Sequence, residues 1–144
     1  MTVDENKALV TRFIHEVFER GSADAVGELV ADDFVPHTWP GTNDKAGLKQ
    51  AMTRVARGLS DAEFRIDDLI AEGDRVAARL TASATQVGEF MGIPPSGKRY
   101  TIEEIHVFRI RDGRISEHWH QFDQLGMMRQ LGAMPAEGQP AGQR

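Results

Sequence analysis

Five histidines and a small set of carboxylates are the residues of this chain that could do chemistry. His118 and His120 flank Trp119, and two side chains at i and i+2 on a strand project from the same face. His106 lies in Ile105-His106-Val107-Phe108, where an imidazole among apolar neighbours is either a hydrogen-bonded core group or a pocket group with a shifted pKa. His37 follows Pro36 on a short extended piece, where a loop and a pocket mouth would coincide. His15, between Ile14 and Glu16 on a helix, reads as the border of a packed face. Glu103, Glu104, Glu117 and Asp123 bring carboxylates close to His106, His118 and His120. A carboxylate beside an imidazole fixes its tautomer and raises its basicity, which is what a general base needs. The plainer alternatives are that Glu103 and Glu117 are solvated partners of arginines and that Asp123 caps the last helix.

The same histidine spacing suits a metal, since His118 and His120 with either His106 or His37 would make a three-histidine site. No further ligand motif accompanies it, so we assign no metal and no cofactor. Gly92-Ile93-Pro94-Pro95-Ser96-Gly97-Lys98 matches the start of a phosphate-binding loop. Arg99 stands where Ser or Thr is required, two prolines remove amide donors, and a strand follows where a helix should begin. A rigid turn forming one lip of a pocket fits better.

The elements that must hold these groups follow from periodicity. Apolar residues at three- and four-residue spacing from Asp4 to Arg20 predict a helix ended by Gly21. Ser22 caps a second, short helix closing near Asp32-Asp33, and Phe34-Val35-Pro36-His37 reads as an edge strand. Asn43 or Asp44 caps a third helix carrying Leu48, Met52, Val55 and Leu59. After about residue 62 the period becomes 2, and four strands follow, the last two joined at Asp112-Gly113, a strong hairpin signal. A two-residue turn there pairs residues whose numbers add to 225, which sets His106 against Trp119 and on the face opposite His120. One β-bulge shifts the total to 226 and puts the two histidines side by side. Periodicity alone leaves both registers open.

Helices first and strands afterwards predict one α+β domain over residues 1–132, a cone-shaped curved antiparallel sheet wrapped round the N-terminal helices, with a flexible tail at 133–144. The open mouth of such a cone is a natural ligand site. The chain has 144 residues with 17 basic and 22 acidic side chains, a net charge of −5, which argues against nucleic acid as a partner. It has no cysteine, which excludes disulfides and thiolate chemistry. No apolar run predicts a membrane span and no signal segment precedes the first helix, so the expected compartment is the cytoplasm.

The features assembled here resemble the SnoaL-like polyketide cyclases, also called ester cyclases, of the nuclear-transport-factor-2-like and ketosteroid-isomerase-like fold. The resemblance rests on Gly88-Glu89-Phe90-Met91-Gly92-Ile93-Pro94-Pro95-Ser96-Gly97-Lys98, on Ile105-His106-Val107-Phe108-Arg109-Ile110, and on Asp112-Gly113-Arg114-Ile115-Ser116-Glu117-His118-Trp119. Asp123-Gln124-Leu125-Gly126 and Arg129-Gln130-Leu131-Gly132 extend it, so that it covers roughly residues 5 to 134. It implies cofactor-free aldol ring closure, in which an acidic residue takes a proton next to a carbonyl and a strand histidine assists. The counterpart of that histidine is His106, and the acid falls in register at His120. The resulting expectation is His120 as base, Asp123 orienting it, and His106 stabilising the enolate oxygen. His37, Trp39, Phe90, Met91, Glu104, Phe108, His118 and Trp119 are expected to bind an apolar or aromatic substrate. A hydrolase of the same fold acting on an epoxide or ester, or a non-catalytic small-molecule-binding module, are the alternatives. Cover for the open sheet face is expected from a homodimer or higher homo-oligomer.

Overall fold

The computed structural model describes residues 1–39 and 41–134, so the expected tail lies, from residue 135 on, outside the described residues. Helix α1 (Val3–Phe13) opens on a capping box in which the Thr2 hydroxyl accepts from Glu5 N–H and the Glu5 carboxylate accepts from Thr2 N–H. Where the periodicity predicts one helix as far as Arg20, the winding changes and Ile14–Glu19 forms a π-helical turn. Its wider coil keeps Ile14, Val17 and Phe18 buried beside Phe13, and such turns often sit at functional sites. Gly21, at φ 67°, ends the helix, and Ser22 caps α2 (Ala23–Leu29) by accepting from Ala25 N–H. That helix closes before Asp32-Asp33, because Val30–Pro36 is drawn into the sheet as β1. Of the two candidate caps for α3 (Lys45–Gly58), Asp44 is the one used.

The sheet is completed by β2 (Leu59–Glu72), β3 (Arg75–Gln86), β4 (Arg99–Arg111) and β5 (Arg114–Phe122), and a short α4 (Gln124–Gln130) follows. The strand order is β1-β5-β4-β3-β2. Strands β2 to β5 are the expected antiparallel meander, and β1 is an edge strand as Pro36 suggests. However, β1 joins β5 in parallel, which makes the sheet mixed. The sense of β1 follows from connectivity: α3 carries the chain from one edge of the sheet to the other, and only such long crossovers permit parallel pairing.

Helices α1 to α3 pack into the concave face, where their apolar sides meet Val76, Ala78, Leu80, Phe108, Ile110 and Ile115. A second cluster, around Ala82, Ile102, Tyr100, Met127 and Leu131, closes the end near α4. The end of α3 touches the segment after β3 so closely that a Cβ at Gly58 would lie 2.6 Å from the Glu89 carbonyl oxygen. That proline-bearing segment is tied down by Gln86, whose buried amide donates to the Ile93 carbonyl and accepts from the Ser96 hydroxyl. It runs directly into β4 at Arg99, with no helix to bind phosphate. No helix among the described residues is long and apolar enough to cross a membrane.

Candidate active site

The register of the β4–β5 hairpin is the feature that builds the site. Next to the turn, Ile110 pairs with Ile115, the 225 register; from Arg109 opposite Glu117 onward the pairs follow 226. Ser116 is the extra residue, and its buried hydroxyl donates to the Arg109 carbonyl oxygen inside the bulge. Beyond it His106 stands opposite His120, and Phe108 opposite His118. All four face the helices.

The result is a stack of aromatic rings along one face. Phe108 and His118 lie 4.7 Å apart between centroids, His106 and His118 5.1 Å, His106 and His120 5.2 Å, and His120 and Phe122 5.7 Å. Phe18, on the π-helical turn, covers His106 at 5.1 Å, and Trp39 covers His120 at 5.1 Å. Beneath these rings runs a hydrogen-bonded chain: Glu104 Oε1 to His106 Nε2 at 2.8 Å, then His106 Nδ1 to His118 Nε2 at 2.8 Å. His106 and His118 are 2 % and 1 % exposed, so neither ring nitrogen pair meets bulk water. With Glu104 ionised, His106 donates through Nε2 and its Nδ1 accepts from His118.

Burial, reinforced by the neighbouring imidazoles His106 and His120, pushes the His118 pKa well below its ordinary value. Burial, followed by the charge of His106, pushes that of His120 down to about 4. Both rings are therefore neutral at pH 7. Thr38 holds His120 twice, its hydroxyl lying 2.8 Å from Nδ1 and accepting from the backbone N–H of His120 at 2.8 Å. This leaves His120 Nε2 without a partner among the described residues; His118 Nδ1 has none either, but its ring is only 1 % exposed. Thr38 and Phe18 were missed by sequence reasoning. Thr38 carried only its position after Pro36-His37, and Phe18 read simply as helix core.

Several expected site residues lie elsewhere. Trp119 sits between His118 and His120, and the period of a strand turns it to the convex face. There it stacks on His37 at 4.5 Å with Arg75 and Arg109 over its ring. The Glu117 carboxylate accepts from both His37 and Arg109 on that face, which holds its pKa below the usual range, the His37 contact contributing most. His37 and Trp119 are thus a structural pair outside the cavity. Met91 is 49 % exposed, and Phe90 packs against the second cluster. Asp123 does not orient His120: its carboxylate accepts from Gly126 N–H and caps α4, leaving Thr38 as the partner of the ring. Nor has His106 a free N–H for an enolate oxygen, since Glu104 and His118 occupy both of its nitrogens. His15 lies beside Glu19, away from the other rings. Among the described residues no group of three or more His, Asp or Glu is disposed to hold a metal ion.

A cavity of about 140 Å³ adjoins the cluster at Phe18, lined on one side by apolar residues such as Val17, Met52 and Leu59 and on the other by Glu19, Arg20 and Asp61. Phe18 is its inner wall and also the cover of His106. A larger groove, about 630 Å³, is lined by Arg65, Arg79, Thr81, Glu103 and Asp123 among others, and it reaches Glu104 at the end of the buried chain. Arg79 pairs with Asp68 and Glu103 on the outer sheet face, and the many charged side chains make the groove the less suitable place for apolar chemistry.

A curved α+β sheet closed over helices, with an acid–base cluster in its apolar interior, defines a class of small-molecule enzymes and binding proteins. This chain belongs to the SnoaL-like polyketide cyclase family, whose profile matches residues 8–131. It is 31 % identical to the aklanonic acid methyl ester cyclase DauD of Streptomyces sp. (strain C5) over 131 residues, covering 86 % of this chain and 80 % of that one. Over 119 residues it is 31 % identical to the nogalonic acid methyl ester cyclase of Streptomyces nogalater, covering 80 % and 89 %. The solved structure of TsrD from Streptomyces laurentii superposes with a TM-score of 0.85 at 32 % identity, covering 93 % of this chain and 99 % of that one.

Proposed function

We propose that this protein closes a ring in a polyketide-like carbonyl compound by cofactor-free, intramolecular aldol-type addition. The observation that carries the reading is the bulge that sets His120 beside the Glu104–His106–His118 chain in an apolar interior. His120 Nε2 takes a proton from the carbon next to an activating carbonyl. The carbanion so formed attacks a second carbonyl carbon, and the alkoxide oxygen takes the proton back from the His120 imidazolium, so that atoms and charge balance. For Nε2 to act as base the ring must be in its Nδ1–H tautomer, donating to the Thr38 oxygen, a role the 2.8 Å contact permits.

A base with a pKa of about 4 is poorly matched to neutral pH by itself. The ring is nevertheless neutral at pH 7 and able to accept a proton, and the enolate formed beside the imidazolium offsets part of the cost of creating charge in an apolar site. Trp39, Phe108 and Phe18 supply apolar faces suited to an aromatic substrate.

The test is incubation with aklanonic acid methyl ester or nogalonic acid methyl ester in water enriched in oxygen-18. A product of unchanged mass and without label supports ring closure. Release of methanol, with a free acid carrying the label as the product, would assign the chain to hydrolysis, and a stoichiometric ligand recovered unchanged would make it a binding module. The proposed compartment is the cytoplasm.

We further expect a homodimer, in which a second copy covers the convex face around Trp119, exposed Val35 and exposed Ile105. Sedimentation at micromolar concentration should give twice the 16.0 kDa chain mass; a 16 kDa particle alone would remove this expectation.

A further inference from the structure

We propose that the indole N–H of Trp39 is the hydrogen-bond donor to the oxygen that becomes negatively charged during ring closure. This rests on the proposed function and fills a place that function leaves empty. Enolate chemistry needs a fixed donor at the developing oxyanion. His106 cannot serve, as both its ring nitrogens are engaged, and His118 already spends Nε2 on His106.

Trp39 Nε1 is buried and has no acceptor among the described residues. A buried donor left unpaired is unfavourable and rare enough to call for an acceptor that arrives from outside. Its place is the right one: the Trp39 ring lies 5.1 Å from His120, 6.3 Å from His118 and 6.3 Å from Phe18, between the base and the cover of the cluster. Trp39 also follows Thr38 directly, so one short segment after β1 both clamps the base and carries the donor. An indole N–H suits the task chemically, since it only donates and cannot lose its proton to the enolate. The ring completes the apolar face on which a planar substrate would lie.

The experiment has two readouts. Trp39→Phe keeps an aromatic ring and removes the N–H. It is expected to lower kcat about 100- to 1,000-fold while KM moves less than about threefold, the pattern for a donor used mainly in the transition state. The chain has only two tryptophans, Trp39 and Trp119, so the variant also assigns the two indole resonances in a nitrogen-15-labelled sample. On addition of 1,8-dihydroxyanthraquinone to the unmodified protein, the Trp39 indole proton should move downfield and that of Trp119 should stay. Full kcat in Trp39→Phe, or a Trp39 resonance that stays put while the quinone binds, would overturn the proposal. Should the variant fail to fold, Trp119→Phe supplies the assignment and the titration of the unmodified protein decides. Failure of the functional reading looks different: His120→Ala would then turn over the cyclisation substrate at the full rate, whatever Trp39 does.

Discussion

His120→Ala is expected to lower kcat for ring closure by about two to four orders of magnitude, the usual worth of a positioned general base. The side chain lies directly opposite His106, and its Nε2 has no protein partner among the described residues. His120→Asn, which keeps a polar group of smaller size and no useful basicity, should be comparably slow. His120→Asp is the informative variant. It places a carboxylate where the resemblance puts the family's acid, a base that carries its negative charge before it takes the proton. We expect it to keep kcat within about tenfold. Its acid limb should move to higher pH, since burial raises a carboxylic acid's pKa and lowers an imidazole's. The check is a pH–rate profile of the three variants on one cyclisation substrate, and full turnover by His120→Ala would end the assignment.

The second large effect is on stability. His118, buried, and His120, half-buried, are neutral in the fold, with pKa values below those of free imidazole. Between the unfolded value near 6.5 and the folded value near 4, the unfolded chain therefore binds more protons. Stability contributed by these rings is complete above pH 6.5 and is lost as the pH falls through that window. For His120 the full shift is worth about 3 kcal/mol, and partial exposure of the ring reduces this to about 2. Carboxylates held below their ordinary range, such as Glu117 by His37 and Arg109, withdraw their stabilisation only at lower pH, below about 4.5. Urea unfolding at pH 7 and pH 5 should thus show a clear loss before carboxylate titration begins. The loss should shrink in His120→Phe, which continues the ring stack toward Phe122. Equal midpoints at the two pH values would contradict the buried neutral state.

Much of the fold is legible in the residues because it is local. The caps Ser22 and Asp44, the turn at Asp112-Gly113, and the alternation that sets His118 and His120 on one face each depend on neighbours a few positions apart. The π-helical turn was not legible, since Ile14–Glu19 has the apolar spacing of an α-helix and its wider coil comes from packing against the sheet. The parallel sense of β1 was not legible either, because strand composition carries no direction.

The site divides along the same line. From the sequence alone came the imidazoles and carboxylates, their places on two adjacent strands, and the statement that a single bulge would decide whether His106 and His120 meet. Tertiary structure decided that the bulge forms at Ser116, that Asp123 serves α4, and that His37 and Trp119 belong to the outer face. It also chose the partners of the rings: Thr38 reaches His120 across 82 positions, and Glu117 reaches His37 across 80. The physical reason is the range of the interactions. Alternation and capping are set by backbone geometry within a few residues, whereas the partner of a buried nitrogen depends on which distant segment the whole core brings against it.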